Sequence, residues 1–359
     1  MGWCHCRGWL PRAFSVACFW VWLCIITLLI SSVDFVSVLR RIGEAGPRHR
    51  LDIGDPDVPP PGELLEALSR VGDMRYGPPE GLPEFREAVA SVFGVEPGEV
   101  VAVAGGRHGL AAVMWAFRRR RLLTPSPYYP GYFEIAEVFG LGLGVVESGG
   151  GWLPRFAERG VYVVNYPNNP TGVVLPRERV RELVDVAEFV ISDEIYRDIV
   201  FTEFTSPLDM SPNVAVVYSF SKVFSVPGLR LGAVVAPREV AREVARFNKA
   251  TINVPPTHAQ RAVASVIDIL PRRRREVSEI YRGRAELAAR LLRLRFVKPG
   301  GAFYIFAEAG EGCFEKALGR GVSVLPGELY GRGGYVRIAL VEGEGALSEA
   351  FSVLNEVCR

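Results

Sequence analysis

Six short apolar runs restrict what this chain can fold into. Val100–Ala104, Leu122–Pro125, Gly144–Glu147, Val161–Val164, Phe189–Ser192 and Val214–Tyr218 are β-branched or aliphatic, and helical stretches separate most of them. Continuous rather than alternating apolar runs belong to strands buried on both faces. Their alternation with helices predicts an α/β fold: a mostly parallel central sheet flanked by helices. In such sheets ligands bind beyond the carboxyl ends of the strands. That is where the unusual residues of this chain fall.

Gly105-Gly106-Arg107-His108-Gly109 follows the first run and opens a helical stretch to Phe117. A glycine loop entering a helix can hold a phosphate on its backbone amides, although most glycine pairs only make tight turns. An aromatic loop, Ser126–Tyr132, follows the second run. Asn165-Tyr-Pro-Asn-Asn-Pro-Thr-Gly172 follows the fourth, and Asp193-Glu-Ile-Tyr196 the fifth. The sixth ends in Ser219-Phe220-Ser221-Lys222, with Pro227-Gly228 and Arg230 beyond. Lys222 is one of four lysines (the others are Lys249, Lys298 and Lys316) among 42 basic residues. An amine can lose its proton and attack a carbonyl, whereas a guanidinium stays charged. By itself Lys222 reads better as an exposed loop lysine.

Outside the runs, Gly62–Val71 and Leu82–Phe93 have helical spacing, and Leu51-Asp-Ile-Gly-Asp reads as a short strand entering a proline-rich loop. Beyond Pro237 come helices at Arg238–Phe247, Thr257–Leu270 and Arg275–Arg293. Short strands follow within Gly300–Phe306, Val322–Gly327 and Tyr335–Leu340. A chain of 359 residues accommodates two lobes. We expect a large lobe over 72–237 and a smaller α+β lobe from 36–71 and 238–359. Net charge is +2 and well mixed. Arg118–Arg121 and Arg272–Arg275 read as solvated helix ends, and no Cys/His spacing indicates a metal site. Cys313 and Cys358, far apart in sequence, read as unpaired thiols of a reducing cytosol.

Residues 1–35 differ from the rest, holding four of the six cysteines. Phe14–Val33 is uncharged, mostly apolar and long enough to cross about 30 Å of hydrocarbon. One reading is a membrane anchor. The preferred one is a start assigned too far upstream, with the natural start near Val36 or Val38 and a cytoplasmic protein.

Ten segments in order, GDPDVPPP, RYGPPEGLPEFREAV, VAGGRHGL, SPYYPGY, NYPNNPTG, SDEIY, SFSKVFSVPGLRLG, GGAFY, VLPG and YVRIAL, give the chain a resemblance over residues 50 to 340. It resembles the fold-type I, pyridoxal-phosphate-dependent aminotransferases of class I/II, of the aspartate aminotransferase kind. The resemblance implies that Lys222 bonds the cofactor aldehyde and moves the substrate proton. It implies that Asp193 keeps the pyridine nitrogen protonated, that Tyr196 and Asn169 address the ring oxygen, and that Tyr129 stacks on the ring. The backbone amides of Gly106 and Arg107, with Ser219 and Arg230, would hold the phosphate, and Tyr76 would reach the phosphate of a neighbouring subunit in a homodimer. Arg337 would clamp the substrate α-carboxylate, with Gly54 lining the pocket. Arg107 stands where one branch of the family has a lysine that recognises a distal carboxylate.

The implied function is transfer of an amino group from an acidic or aromatic amino acid to a 2-oxo acid such as 2-oxoglutarate. The same constellation serves histidinol-phosphate aminotransferases and decarboxylases or lyases, and a non-catalytic binding protein is a further alternative. Taken singly, each residue has a plainer reading: Asp193 a helix cap, Asn169 a turn, Arg337 a surface ion pair, Tyr129 a half-buried aromatic, Arg107 a solvated charge. The loop Ser148–Trp152 is short for the family, and the arm that usually precedes residue 36 is missing or replaced.

Overall fold

The computed structural model describes residues 34–359; the apolar stretch 14–33, with both its readings, lies outside them. No helix of the described residues is long and apolar enough to cross a membrane. The chain runs α1 (Phe35–Ala45), β1 (His49–Arg50), α2 (Gly62–Arg70), α3 (Pro83–Phe93), β2 (Val100–Val103), α4 (Gly106–Ala116), β3 (Leu122–Pro125), α5 (Gly131–Phe139), β4 (Leu143–Val146), β5 (Val161–Asn165), α6 (Arg177–Val186), β6 (Phe189–Asp193) and β7 (Val214–Ser219). It continues through α7 (Phe220–Val223), β8 (Gly232–Val235), α8 (Arg238–Thr251), α9 (Thr257–Ser265), α10 (Leu270–Leu291), β9 (Tyr304–Glu308), α11 (Cys313–Gly319), β10 (Val322–Ser323), β11 (Leu325–Pro326), β12 (Tyr335–Ala339) and α12 (Glu344–Val357).

Seven strands form the main sheet in the order β2-β8-β7-β6-β5-β3-β4. All run parallel except β8, which is antiparallel to both β2 and β7. The period-2 side-chain alternation of a strand divides the apolar runs between two cores. Val101, Val103, Val161, Val163, Ala215 and Val217 face α4, α5 and α8. Val100, Ala102, Tyr162, Val164, Val214 and Val216 face the opposite core, shared with α3 and the C-terminal elements. With both faces covered, polar chain can gather only at the sheet edges. A three-stranded antiparallel sheet, β11-β12-β9, and a parallel pair, β1-β10, complete the strands. The first strand is His49–Arg50, two residues ahead of the expected position; Leu51 and Asp52 already turn, although Leu51 still bonds Ser323 and Ala339 through its backbone.

Three features depart from expectation. Strand β8 is not visible as a separate apolar run, because Leu229-Arg230-Leu231 reads straight into it. Cys313 and Cys358 are joined in a disulfide, their Cα atoms 4.6 Å apart across 45 residues. The end of α12 packs on the start of α11, so sequence distance misled, and unpaired thiols no longer argue for a reducing compartment. Arg273 is not solvated. It is buried beneath α7, where it donates to the carbonyls of Val223 and Pro59 and to the hydroxyl of Ser225.

Gly172 ties the loop after β5 to the strand that carries Tyr304. Its carbonyl accepts from the amides of Gly300 and Gly301 at 2.8 and 3.0 Å. Its φ of 69° is left-handed, and a Cβ there would lie 2.8 Å from the Tyr304 carbonyl oxygen as well as against Pro299. Gly172→Ala is therefore expected to lower the unfolding free energy by about 1–3 kcal/mol in urea denaturation.

Candidate active site

The carboxyl ends of β2, β3, β5, β6 and β7 share one edge of the sheet. Because β8 runs the other way, its first residue lies at that same edge, with Gly232 opposite both Val103 and Ser219. Arg230, two residues earlier, is thus brought beside the glycine loop that opens α4. The Arg230 guanidinium donates to the Ala104 carbonyl at 3.3 Å. A Cβ on Gly105 would sit 2.8 Å from that guanidinium, and one on Gly106 would lie 2.9 Å from Ile195 and 3.6 Å from the Ser219 Cβ. No side chain caps the N-terminus of α4, so its first amides are free to take an anion. Ser219, at the end of β7, has its hydroxyl within 2.9 Å of the Ser221 hydroxyl. His108 stands behind the loop. Burial and the Arg230 charge hold it down at about 4, so the ring is neutral, and it accepts weakly from the Ala104 amide.

Asp193 closes β6 and is 1 % exposed. It accepts from the Tyr132 hydroxyl at 2.8 Å and, at 3.4 Å, from the Ile195 amide, while the Asn165 amide donates to its carbonyl. Burial pushes its carboxyl up to about 7 against the pull of these donors. Tyr196 meets Tyr304 hydroxyl to hydroxyl at 2.9 Å, and burial keeps its phenol well above the usual range and hence protonated. Tyr129 packs edge-on against Tyr132.

Arg337, on β12, is 5 % exposed and not a surface ion pair. It donates to Asn169 Oδ1 at 3.2 Å and to the Asp52 carbonyl, and it lies 4.4 Å from the Tyr304 ring centre. Its Nε has no partner among the described residues. A buried guanidinium with an idle N–H is incomplete, and a carboxylate accepting two parallel bonds would complete it.

Lys222 lies on the one-turn helix α7, its side chain 13 % exposed rather than free in solvent. Its amine donates to the Gly54 carbonyl and lies 3.8 Å from Asp55. Burial lowers it to about 8, Asp55 working upward and Arg337 and Arg230 downward. Two predicted residues sit differently from the rest. Arg107 is turned to Tyr129 and Glu134. Tyr76 is 84 % exposed on the loop between α2 and α3. Reading the sequence missed Tyr132, Asn165, Tyr304 and Asp55. Tyr132 and Tyr304 stand in segments already singled out, yet nothing in the spacing of the chain marks them as partners of Asp193 and Tyr196.

A carboxylate buried with no cation beside it among the described residues, an amine lowered to about 8, an anion-ready helix end with an arginine beside it and an incomplete buried guanidinium suit a pyridoxal-phosphate site. These residues fit that cofactor: its ring nitrogen offers Asp193 a proton-bearing cation, its aldehyde offers Lys222 a carbonyl, and its phosphate suits the α4 loop. The family model "Aminotransferase class I and II" matches residues 49–349, and the chain belongs to that family. It is 36 % identical over 333 residues to an aspartate aminotransferase of Thermococcus kodakarensis, covering 88 % of this chain and 90 % of the relative. It is 31 % identical to the aspartate/prephenate aminotransferase of Thermus thermophilus, covering 84 % and 88 %. A solved Thermus thermophilus aspartate aminotransferase double mutant superimposes with a TM-score of 0.86 at 28 % identity, over 92 % of this chain and 98 % of that one. The protein is a pyridoxal-phosphate-dependent aminotransferase acting on amino and 2-oxo acids.

Because burial disfavours the ammonium, Lys222 is neutral and nucleophilic above about 8 and protonated below it. The rate at which cofactor-free protein captures pyridoxal phosphate should rise with pH and level off above that point. Asp55→Asn removes the one upward influence and should move the midpoint to lower pH in stopped-flow absorbance.

Proposed function

We propose that the chain exchanges the amino group of a dicarboxylic amino acid, aspartate foremost, with 2-oxoglutarate, and that aromatic amino acids are secondary donors. Arg337 carries this reading: buried, charged and one bond short, it suits the α-carboxylate common to all these substrates. The aspartate preference is supported by the names of the relatives above and by Arg107 at the site wall. The aromatic reading is supported by the pairing of Arg107 with Glu134, which leaves no unpaired charge facing an apolar side chain.

Bound pyridoxal phosphate supplies an aldehyde for the amine and a ring that draws electrons from Cα. In this reading the chain does the rest. Asp193 keeps a proton on the ring nitrogen, since a carboxylate this buried favours a cation beside it. Tyr196, aligned by Tyr304, and Asn169 would donate to the ring oxygen, and Tyr129 would cover one ring face. The backbone amides of Gly106 and Arg107, with Ser219 and Arg230, would hold the phosphate. Lys222 would hold the cofactor through its amine, and that amine, lowered to about 8 by burial, would carry the proton away from Cα. Arg337 and the loop at Gly54 fix the carboxylate and with it the direction of that proton.

Two lobes belong to the same proposal, although α8, expected in the smaller lobe, packs on α4 and β2 of the seven-stranded sheet and so joins the larger one. So does a cytoplasmic location, where cofactor and substrates are soluble. A homodimer is included because Tyr76 projects from its own site into solvent, as a phosphate ligand for a partner would. Tyr76→Phe is expected to weaken pyridoxal-phosphate retention roughly three- to tenfold in equilibrium dialysis, the worth of one hydrogen bond. Unchanged retention would remove Tyr76 from the site.

A panel of amino donors against 2-oxoglutarate tests the whole reading. Lys222→Ala should abolish the bound cofactor's lysine-linked absorbance and cut turnover at least about a hundredfold. Arg337→Ala should raise KM for every donor by roughly ten- to a hundredfold. Arg107→Ala should raise KM for aspartate more than for phenylalanine, and equal effects would withdraw the acidic preference.

A further inference from the structure

Arg107 is already paired within its own chain. Its Nη1 donates to Glu134 Oε2 at 2.5 Å. Its Nε and Nη2 both point to the Tyr129 hydroxyl, at 3.2 and 2.6 Å, and the guanidinium carbon lies 5.5 Å from the centre of that ring. One carboxylate and one phenol thus engage all three nitrogens. Glu134 comes from the first turn of α5, and Arg107 from the first turn of α4. The pair is half open to water, with 49 % and 41 % of the two side chains exposed. An ion pair this exposed is weak and exchanges readily.

We propose that Glu134 is an internal stand-in for the distal carboxylate of the substrate, and so a specificity-determining residue. This rests on the reading of Arg107 as the contact for that carboxylate. An aromatic side chain next to a bare guanidinium would strip water from a charge with no partner, which is costly. With Glu134 in place the guanidinium stays neutralised while such a substrate is bound. A dicarboxylic substrate instead takes over Nη1. Glu134 then turns to solvent at the amino end of α5, where the helix dipole favours its charge. Affinity for acidic substrates is therefore set by competition between two carboxylates, and affinity for aromatic ones is not.

The test uses the holoenzyme with 2-oxoglutarate saturating and measures kcat/KM for aspartate and for phenylalanine. Glu134→Gln should raise the aspartate-to-phenylalanine ratio roughly two- to fivefold, the worth of one half-exposed ion pair, through a lower KM for aspartate. Glu134→Asp, which keeps the charge but draws it out of reach of Arg107, should raise the ratio too. A ratio that falls or stays level in Glu134→Gln overturns the proposal, since Glu134 would then brace Arg107 or be irrelevant to it. A rise in Glu134→Gln with none in Glu134→Asp also overturns it, because that pattern is repulsion through space without displacement. Arg107→Ala separates the two layers. If it leaves the ratio unchanged, the reading of Arg107 itself fails. If it lowers the ratio while the Glu134 variants do nothing, only the stand-in role is lost.

Discussion

A carboxylate buried without a cation is the constraint from which the site follows. Asp193 has two neutral donors and almost no solvent, and its preference for protonation records how incomplete that environment is. Removing the surrounding apolar sheet would relieve Asp193, but it would also remove the reason for a cationic ring to bind there. The two cores on either face of the sheet are therefore more than a scaffold. By excluding water from both sides of β6 they make Asp193 demand a partner. Arg337 states the same condition with opposite sign: it is charged, buried and one bond short. In the proposed function the two would be completed by different parts of the bound molecules, which would separate recognition of the ring from recognition of the substrate.

Much of this was legible in the sequence because the chemistry sits on strand ends. Asp193, Ser219 and Lys222 each close or follow an unbroken apolar run, so pattern alone placed them at one edge of a sheet. Arg337 was legible only through the family motifs, since it finds its partners 168 and 285 positions away. What stayed hidden was long-range pairing between residue types common on surfaces. Glu134 looks like any helix glutamate until the fold lays α5 beside α4. Arg273 looks like one of four exposed arginines until α10 turns it under α7. The disulfide was hidden for the same reason, its two cysteines meeting only after the C-terminal helix has folded back.

Tyrosines recur around the charged groups for a physical reason. Tyr132, Tyr196, Tyr304 and Tyr129 each present an apolar body to the core and a hydroxyl to a neighbour. Their burial keeps the phenols protonated, so they offer hydroxyls of fixed orientation without adding charge, Tyr132 donating to Asp193 and Tyr129 accepting from Arg107. A site built from lysines and arginines at these positions would satisfy Asp193 directly and leave nothing for the cofactor to do.

The reversed strand β8 has a structural consequence of its own. Lys222 and Arg230 hang from two adjacent strands whose register is set by the pairing of Ser219 with Gly232. The gap between the amine and the guanidinium is therefore set first by a hydrogen-bonded ladder, and the loop that joins them is pinned separately, the Val223 carbonyl and the Ser225 hydroxyl accepting from Arg273. Sliding β8 by one residue would turn its side chains to the opposite face and pull the anchors apart together. The active site is gauged by a ladder of backbone bonds, which is why so small a loop can carry both of its fixed points.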